Sequence, residues 1–490
     1  MRPVFTSQSI KHIEQQASQQ MQVPMYELML RAGHESFQRL QQCWPQANKI
    51  LLITGSGNNA GDGLVLAKQA LEAGYQVTIA ALKELHQLSG DALLAWRELK
   101  AYPHKVIEVR ELSAQQPDVI IDAILGTGFK GELRADYRQA IDHINNLSER
   151  LSIPVLSLDI ASGVYADSAE VADSYIKAQQ TISFIFPKLA HVMGDALDAS
   201  GRVKQVSLGV SQEQFYQQIP RVWQQELVDV IEWIPKRKAT CYKNTCGHLL
   251  CVGGQQSMGG AIILAAETGL KAGAGLVTCH IATDNRVAAL ARCPEVMWTD
   301  KLPSSLEPFQ AMVLGPGLGR MTASGDIVKN YIDAPIKKII DADGLYWLAQ
   351  QEITCDLQTT VLTPHIGEAA TLLSCDTASI KQDRIAAVKA IAKKYQAVTV
   401  LKGAGTLISD GTTTIVAGGA HSAMATAGLG DVLSGLIGSL LAQGLSALEA
   451  SRLAVSLHFA AAVKAADNRT RGMLATEVSQ QINSLINGQY

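Results

Sequence analysis

Short apolar runs alternate with helix-like segments through the first half of this chain, and this alternation restricts the possible folds more than any other feature. The predicted strands lie at 49–54, 75–82, 118–125, 153–159, 181–186 and 203–208. Strands that are apolar along their whole length are typical of a parallel sheet with helices on both faces. The first half is therefore predicted to be an α/β domain.

A polar interruption divides the chain. The alternation stops near Val210, and the segments 212–220 and 235–244 are polar, with two prolines and a cluster of basic residues. A chain of 490 residues is also too long for a single hydrophobic core. The predicted domains are therefore residues 1–215 and residues 220–490.

The second domain has its own α/β pattern, with a different spacing. Its predicted strands are 247–252, 276–281, 311–314, 338–341, 360–362 and 398–401. The runs 406–409 and 413–417 flank Asp410-Gly411, which indicates a β-hairpin. The predicted helices are 260–272 and, closing the chain, 430–443 and 447–466. The fold class predicted for the whole chain is α/β with two domains.

Charge and hydropathy exclude several functional classes. The net charge is −3 and no basic stripe is present, so nucleic acid is not an expected partner. The first thirty residues contain no apolar core of a secretory leader. The uncharged stretch 432–448 carries serines, glycines and a glutamine, which favours a buried helix over a membrane span. Eight scattered cysteines without a C-x-x-C pair argue against zinc and fit a cytoplasmic protein with reduced thiols.

A run of small residues from Ala417 leads into Gly428-Leu429-Gly430-Asp431, directly before a long uncharged segment. Backbone N–H groups at such a helix start converge on an anion, and the helix dipole adds about half a positive charge. Asp431 would lie beside a phosphate under attack, where it can accept a proton from a hydroxyl. Aspartate is equally a favoured N-cap residue, and a short glycine motif alone does not separate these interpretations.

A second glycine-rich segment, 55–63, follows the first predicted strand directly and reads GSGNNAGDG. It fits the looser dinucleotide fingerprint G-x-G-x-x-A, so that interpretation remains open. It contains no lysine and is therefore not a Walker loop. Because a tight turn needs the glycines but not the asparagine pair, we predict a polar small-molecule site at this strand end.

Two more carboxylates, Asp122 and Asp159, follow apolar residues of predicted strands. The carboxyl ends of parallel strands meet at one edge of a sheet, so the loops after these residues should lie close to segment 55–63. Oxygen atoms of Asn59, Asp122 and Ser162 could hold a hard cation. In this arrangement Asp159 is a candidate acid/base group and Lys130 a candidate anion clamp.

These three loops give the first half its resemblance, over nearly its whole length, to the NAD(P)H-hydrate epimerases. The resemblance implies a Rossmann-like three-layer sandwich, a potassium ion on Asn59, Asp122 and Ser162, and catalytic roles for Asp159 and Lys130. The substrate contacts it implies are Asn58, Asn59, Ala60, Gly61, Asp62, Gly126, Thr127, Gly128, Phe129, Lys130, Gly131, Glu132 and Asp159. Ala161 stands where that family usually has proline, which removes the fixed φ of a proline.

The second half resembles the ADP-dependent NAD(P)H-hydrate dehydratases, which have a ribokinase-like fold. The matching segments are 247–254, 257–261, 271–275, 315–319, 341–344, 363–368, 402–406 and the run ending at Asp431. Ile366 stands at a usual proline position. The hydrate contacts implied are Ala261, Gly317, His365 and Asp431, with Asp431 catalytic. The nucleotide contacts implied are Lys402, Gly403, Ala404, Gly405, Thr406 and Gly430. Glu368 would position Mg²⁺ with the donor phosphates, or would only occupy the first turn of the next helix.

Together the two resemblances imply repair of hydrated NADH and NADPH. Hydrated NADH carries a hydroxyl group on the ring carbon next to the ring nitrogen. Hydroxide is a poor leaving group, whereas phosphate leaves this carbon readily when the ring nitrogen donates its lone pair. A kinase-like domain can therefore act as a dehydratase, because its phosphorylated product is unstable. The implied scheme has the first domain interconvert the R and S hydrates and the second dehydrate the S hydrate at the expense of ADP, giving AMP and phosphate. We expect no membrane partner and a homo-oligomer.

Two other functions remain open at the level of sequence. The ribokinase-like half could phosphorylate a stable alcohol, which would leave a phosphorylated product rather than free phosphate. The first half could be a binding module without catalytic activity, in which case residues 1–215 would not interconvert epimers.

Overall fold

The computed structural model describes residues 1–211, 222–351, 355–356 and 359–489. The chain forms two compact units, Pro3–Val222 and Trp223–Tyr490, and Met1–Arg2 is counted with the second. The predicted linker 212–220 and the boundary drawn between 215 and 220 lie outside the described residues. The polar segment 235–244 belongs to the second unit.

The first unit is a parallel sheet covered by helices. The chain begins with a short strand, β1 (Arg2–Val4), which is not part of this sheet. The strands of the sheet are β2 (Lys49–Thr54), β3 (Gln76–Ala81), β4 (Lys105–Ile107), β5 (Val119–Ala123), β6 (Val155–Leu158), β7 (Gln180–Phe184) and β8 (Arg202–Val206). Its helices are α1 (Ser7–Met21), α2 (Met25–Cys43), α3 (Asn58–Glu72), α4 (Gly90–Leu99), α5 (Ala135–Leu151) and α6 (Ala196–Ser200).

All neighbouring strands of this sheet are parallel, in the order β4-β3-β2-β5-β6-β7-β8. The chain builds outward from β2 in one direction and then returns to add β5 on the other side. Such a switch point opens a crevice at the carboxyl ends of the two strands, where open α/β sheets bind their ligands. The α/β prediction for this half is confirmed.

The glycine-rich segment after β2 is shorter than predicted, because α3 already begins at Asn58. The expectation of a loop through residue 63 is therefore wrong. A Cβ atom at Gly61 would lie 2.5 Å from the sulfur of Met29, and one at Gly63 would lie 2.7 Å from the Cβ of Ala123. These two glycines let α3 approach α2 and the sheet closely, so they serve packing rather than a turn.

The second unit has a larger sheet. Its strands are β9 (Val222–Gln225), β10 (His248–Val252), β11 (Leu276–His280), β12 (Met297–Thr299), β13 (Ala311–Leu314), β14 (Lys337–Ile340), β15 (Thr360–Leu362), β16 (Val398–Leu401), β17 (Thr406–Ser409) and β18 (Thr414–Ala417). Their order is β9-β18-β17-β16-β15-β14-β13-β10-β11-β12. The strands from β12 to β16 in this order run parallel, and β17 and β18 form the predicted antiparallel hairpin.

Ten helices of the second unit lie within the described residues: α7 (Gly259–Lys271), α8 (Arg286–Arg292), α9 (Thr322–Ile332), α10 (Asp343–Ala349), α11 (Ile366–Leu373), α12 (Thr377–Gln382), α13 (Arg384–Tyr395), α14 (Leu429–Ala442), α15 (Ala447–Ala466) and α16 (Ala475–Ile486). Helix α14 is almost completely buried, which explains its lack of charged residues after the first turn. In the described part of the chain, every helix is too short or too polar to cross a bilayer.

The expectation that two helices close the chain is wrong, because α16 follows them. Its buried residues Val478, Ile482 and Leu485 recur at the spacing of a helix face, and it packs against α15 and α7. The spacing of these apolar residues is visible in the sequence, but it is a short amphipathic pattern. Helix α16 belongs to the core because it packs against the two longer helices α7 and α15.

Candidate functional site

A cavity of about 1080 Å³ opens in the first unit at the carboxyl ends of β2, β5 and β6. Of the predicted substrate contacts, Asn58, Asn59, Asp62, Gly126, Thr127, Gly128, Phe129, Lys130, Glu132 and Asp159 line it. Ala60, Gly61 and Gly131 do not line it. Ala60 is completely buried, and Gly61 faces α2. The structure therefore brings ten of the thirteen predicted substrate contacts to one cavity.

Asp159 follows β6 with a left-handed backbone, φ +61°. Its Oδ1 accepts hydrogen bonds from the backbone N–H of Phe184, at 3.1 Å, and from the ammonium group of Lys188. Lys188 has no solvent-exposed surface, whereas the Asp159 side chain is 16% exposed. Its Oδ2 accepts no hydrogen bond from the described residues, and Asp159 therefore combines a fixed position with an available oxygen.

Lys188 is a residue that the sequence analysis missed. Its ammonium group also donates to the carbonyl of Phe184, at 3.0 Å, and to Oγ of Ser183, at 3.3 Å. Beside it lies His191, whose pKa is lowered to about 3, first by burial and then by the charge of Lys188. A lysine 29 residues away from its aspartate leaves no local pattern in the sequence, so only the fold reveals the ion pair.

Hydrogen bonds through the backbone of Leu125 link the three predicted cation ligands: its N–H donates to Oγ of Ser162 at 2.9 Å, its carbonyl accepts from Asn59, and Ser162 donates to Asp122. Asp122 is completely buried and accepts hydrogen bonds from Oγ of Ser157, at 2.7 Å, and from the backbone N–H of Ser162, at 2.9 Å. Burial raises the pKa of Asp122 despite these hydrogen bonds. Asn59 donates its amide to the carbonyl of Leu125, at 2.9 Å. Its Oδ1 is buried and, among the described residues, has no hydrogen-bond donor, which is the situation of an oxygen that a cation could bind.

The rim of the cavity is held by an aromatic pair. Phe129 stacks on Tyr165 with ring centroids 4.9 Å apart, and the Tyr165 hydroxyl donates to the carbonyl of Gly131 at 2.8 Å. Lys130 lies between these two contacts and is exposed. The stacking therefore holds the loop that presents Lys130, which is consistent with an anion-binding role.

In the second unit, four charged residues gather at the carboxyl ends of the central strands. Asp341 follows β14, Lys402 follows β16, Glu368 lies in the first turn of α11, and Asp431 lies in the first turn of α14. Lys402 Nζ donates to Oδ1 of Asp341 at 2.8 Å and lies 3.7 Å from Oε2 of Glu368. Ser434 donates to the other oxygen of Asp341 at 2.7 Å. We call these four residues the charged cluster.

Asp431 is not the N-cap of α14, which resolves one of the alternatives left open by the sequence. The N-cap is Gly428, with φ +88°, and no side chain caps this end of the helix. The pKa of Asp431 is raised to about 7, first by burial and then by the charges of Asp341 and Glu368, which outweigh the opposing effect of Lys402. A carboxylate with a pKa near neutrality at a helix start is suited to general-base catalysis.

In the predicted nucleotide segment 402–406, residues 402–405 form the turn between β16 and β17 and Thr406 begins β17. The turn is held by Arg384, another residue that the sequence analysis missed. Arg384 is nearly buried and donates to the carbonyls of Ala404, at 2.9 Å, and Gly405, at 3.0 Å. Lys402 departs from the rest of the segment, because its side chain joins the charged cluster. A Cβ at Gly430 would lie 3.5 Å from Lys402 Nζ, so the segment and the start of α14 are close together.

The predicted hydrate contacts occupy separate strand ends. Gly317, with φ +62°, lies against the backbone of Met258, where a Cβ would come within 2.3 Å of the Met258 carbonyl oxygen. Ala261, in the first turn of α7, is half-buried. His365 is the N-cap of α11: its Nδ1 accepts from the backbone N–H of Gly367, at 3.0 Å, and of Glu368, at 3.2 Å. The histidine thus has a structural role, and its ring remains exposed.

Comparison with protein-family models finds two matches in this chain. Residues 249–484 match the family described as NAD(P)H-hydrate dehydratase. Residues 25–190 match the family described as YjeF-related protein N-terminus. The two matches fall on the second and the first unit respectively.

Curated relatives match both units together. The chain is 36% identical to a bifunctional NAD(P)H-hydrate repair enzyme of Coxiella burnetii, over 99% of this chain and 100% of that protein. It is also 36% identical to the enzyme of that name from Escherichia coli, over 99% of this chain and 94% of that protein.

Solved structures resemble the second unit. A ribokinase-like superfamily protein of Enterococcus faecalis aligns with a TM-score of 0.51 and 27% identity, covering 55% of this chain and 97% of that one. An ADP/ATP-dependent NAD(P)H-hydrate dehydratase of Bacillus subtilis, co-crystallised with ATP and Mg²⁺, aligns with a TM-score of 0.50 and 25% identity, covering 55% of this chain and 99% of that one.

Proposed function

The chain belongs to the family of bifunctional NAD(P)H-hydrate repair enzymes, and from this membership we propose how its two units divide the reaction. The first unit interconverts the R and S epimers of hydrated NADH and NADPH. The second unit dehydrates the S epimer at the expense of ADP and releases AMP and phosphate. The observation that carries the proposal is the position of Asp431, a carboxylate with a pKa of about 7 at an uncapped helix start.

In the second unit, Asp431 accepts the proton of the hydrate hydroxyl as that oxygen attacks the donor phosphoryl group. The N–H groups of residues 428–430 at the start of α14 bind the phosphoryl oxygens and stabilise the charge that develops there. The C–O bond to phosphate then breaks as the ring nitrogen donates its lone pair and forms a C=N bond. Loss of a proton from the adjacent ring carbon to solvent forms the C=C bond, returns the electrons to nitrogen and restores the dihydronicotinamide ring. Lys402, paired with Asp341, holds a positive charge beside this path.

We assign the donor nucleotide to the segment 402–406 and the hydrate to Ala261, Gly317 and His365. Arg384 supports the first assignment, because it fixes the carbonyls of Ala404 and Gly405 while Gly403 in the same turn stays exposed. The described residues contain no preformed metal site of three or more His, Cys, Asp or Glu side chains. Mg²⁺ is often bound by one or two carboxylates together with substrate phosphates, and Glu368 and Asp341 are placed to contribute such oxygens. The ion would neutralise phosphate charge.

In the first unit, we assign the acid/base role to Asp159 and the anion-binding role to Lys130. Lys188 supports the first assignment, because it holds one oxygen of Asp159 and leaves the other available. The hydrate would occupy the cavity of about 1080 Å³, which is large enough for a nucleotide.

We further assign K⁺ to Asn59, Asp122 and Ser162. The support is twofold: Oδ1 of Asn59 is buried with no donor among the described residues, and the carboxyl group of Asp122 is completely buried. A cation would satisfy the amide oxygen and stabilise the ionised form of Asp122. The ion would order the loops around the cavity.

We expect K⁺ to be required for interconversion of the epimers. In buffer containing only choline as the monovalent cation, the rate should fall at least tenfold, and added K⁺ should restore it. Asn59→Leu should lose the response to K⁺, since it lacks the amide oxygen. Epimers separated by chromatography over time give the rate. An unchanged rate without K⁺ would contradict the assignment.

The whole proposal is tested with mixed hydrate epimers and ADP. Absorbance of NADH at its characteristic wavelength should return completely, with one AMP and one phosphate released per NADH. If a phosphorylated compound accumulates instead and no absorbance returns, the second unit is a kinase for a stable alcohol.

A bulky residue in the nucleotide segment should selectively weaken donor binding. Gly403→Leu places a Cβ 2.8 Å from the Arg384 guanidinium, so we expect the KM for ADP to rise about tenfold and the KM for the S hydrate to change little. Initial rates with each substrate varied in turn give both constants. Equal increases in the two would place the donor elsewhere.

A further inference from the structure

Helix α1 contributes a carboxyl group to the cavity of the first unit that none of the predicted motifs includes. Glu14 lines the same cavity as Asp159 and Asp62. Three other residues of α1 are buried: Ile10, Ile13 and Ala17. Their packing fixes the orientation of the helix and therefore the position of Glu14. Among the described residues, the Glu14 carboxyl group makes no hydrogen bond and no ion pair, so the packing of α1 does not need it.

The charges around Glu14 come from three other elements and from its own helix. Asp159 follows β6, Asp62 lies on α3, Lys188 and His191 follow β7, and Lys11 lies one turn earlier on α1. The pKa of Glu14 is raised to about 7, first by burial and then by the charge of Asp159, against the opposing effects of Lys188 and Lys11. The cavity therefore holds one carboxylate in an ion pair with lysine and a second carboxyl group that carries a proton near neutral pH.

We propose that Glu14 is the proton donor of the epimerisation and acts together with Asp159 as the proton acceptor. This inference rests on the proposed function of the first unit and assigns it a second catalytic residue. Interconversion of epimers requires the hydroxyl to leave one face of the ring carbon and return on the other. An acid for the departing oxygen and a base for the arriving one perform this within one site.

Each epimerisation event exchanges one water molecule at the ring carbon. Glu14 gives its proton to the hydroxyl, the C–O bond breaks, and the lone pair of the ring nitrogen forms a C=N bond as water departs. Another water molecule adds from the opposite face and forms the new C–O bond. The C=N electrons return to nitrogen, and Asp159 takes the released proton. One water leaves and one enters, no group is oxidised or reduced, and the two carboxyl groups exchange protons with solvent through the open cavity.

Asp62 lines the same cavity but is less suited to this role. Its pKa is raised well above its usual value, first by burial and then by the charges of Asp159 and Glu14. These effects favour the neutral form of Asp62, which suits donation of a hydrogen bond to the substrate, whereas a pKa of about 7 lets Glu14 both give and regain a proton near neutral pH.

The test uses the full chain and measures interconversion of separated epimers. Glu14→Gln should lower kcat about a hundredfold with the KM changed less than threefold, and Glu14→Asp should recover part of the loss. Glu149→Gln, an exposed change on α5, is the matched control and should behave as wild type. Thermal unfolding of each variant shows whether the fold is kept.

Two measurements on the wild-type protein complete the test. The rate should fall as the pH rises through about 7, because Glu14 must carry its proton, and Glu14→Gln should lack this decline. Interconversion in ¹⁸O-water should introduce one solvent oxygen per event. A kcat of Glu14→Gln within threefold of wild type, or interconversion without ¹⁸O uptake, would overturn the inference. Absence of interconversion by the wild-type chain would instead overturn the proposed function of the first unit.

Discussion

Asp431→Asn should reduce ADP-dependent repair of the S hydrate by about a hundred- to ten-thousandfold, because asparagine cannot accept the hydroxyl proton. The loss should appear in kcat, since the amide keeps the size of the side chain. Interconversion of the epimers takes place in the other unit and should be unchanged. Return of NADH absorbance from purified S hydrate gives the first rate, and chromatography of the epimers gives the second.

The dependence on pH provides an independent check. A base with a pKa of about 7 is active when ionised, so wild-type repair should increase as the pH rises from 6 to 8. The same raised pKa means that ionised Asp431 destabilises the folded protein at pH 8. Asparagine removes this charge, so the Tm of Asp431→Asn at pH 8 should be no lower than that of wild type. Asp326→Asn, an exposed change on α9, is the control. If Asp431→Asn repairs the S hydrate at nearly the wild-type rate, Asp431 is a structural residue and not the general base.

Asp159→Asn should nearly abolish interconversion of the epimers, by at least a hundredfold, and leave dehydration of the S hydrate intact. Asparagine is the appropriate replacement, because it tolerates the left-handed backbone at φ +61° and can still accept hydrogen bonds from Lys188 and Phe184. In a mixture of epimers with ADP, the S hydrate should disappear quickly and the rest only at the spontaneous rate.

The amplitude of the fast phase decides this prediction. Wild-type protein should consume the whole mixture in one phase, whereas the variant should stop at the fraction of S hydrate initially present. Rapid consumption of the whole mixture by Asp159→Asn would mean that another residue carries the reaction. Assaying wild-type protein without ADP then shows whether the chain interconverts the epimers at all.

The elements and residues that could be predicted share one property, which is a local pattern. Apolar runs marked the central strands of both sheets, and the strand ends marked Asp122 and Asp159. The glycine-rich run marked the start of α14 and Asp431. The glycine-rich segment after β2 was also recognised, but for the wrong physical reason. Gly61 and Gly63 permit close packing of α3 and do not form a turn.

The residues that were missed act over long separations in the sequence. Lys188 is 29 residues from Asp159, and Arg384 is 20 residues from the carbonyl that it holds. Glu14 lies on a helix that contains no glycine motif. His365 has a role that its motif did not predict, because its ring nitrogen caps α11; its contact with the hydrate stays a prediction. A polar side chain acquires its role from its neighbours in space, which a single sequence does not list.

In the reaction proposed for the second unit, the charges of Asp341 and Glu368 near Asp431 would couple product release to proton loss. While Asp431 held the proton taken from the hydrate, the charged cluster would carry one negative charge fewer and would repel the phosphate formed beside it less. Once that proton escaped to solvent, Asp431 would be anionic again and would repel the phosphate dianion at short range. Each turnover would thus end with electrostatic repulsion of the product and with Asp431 ready to accept the next proton.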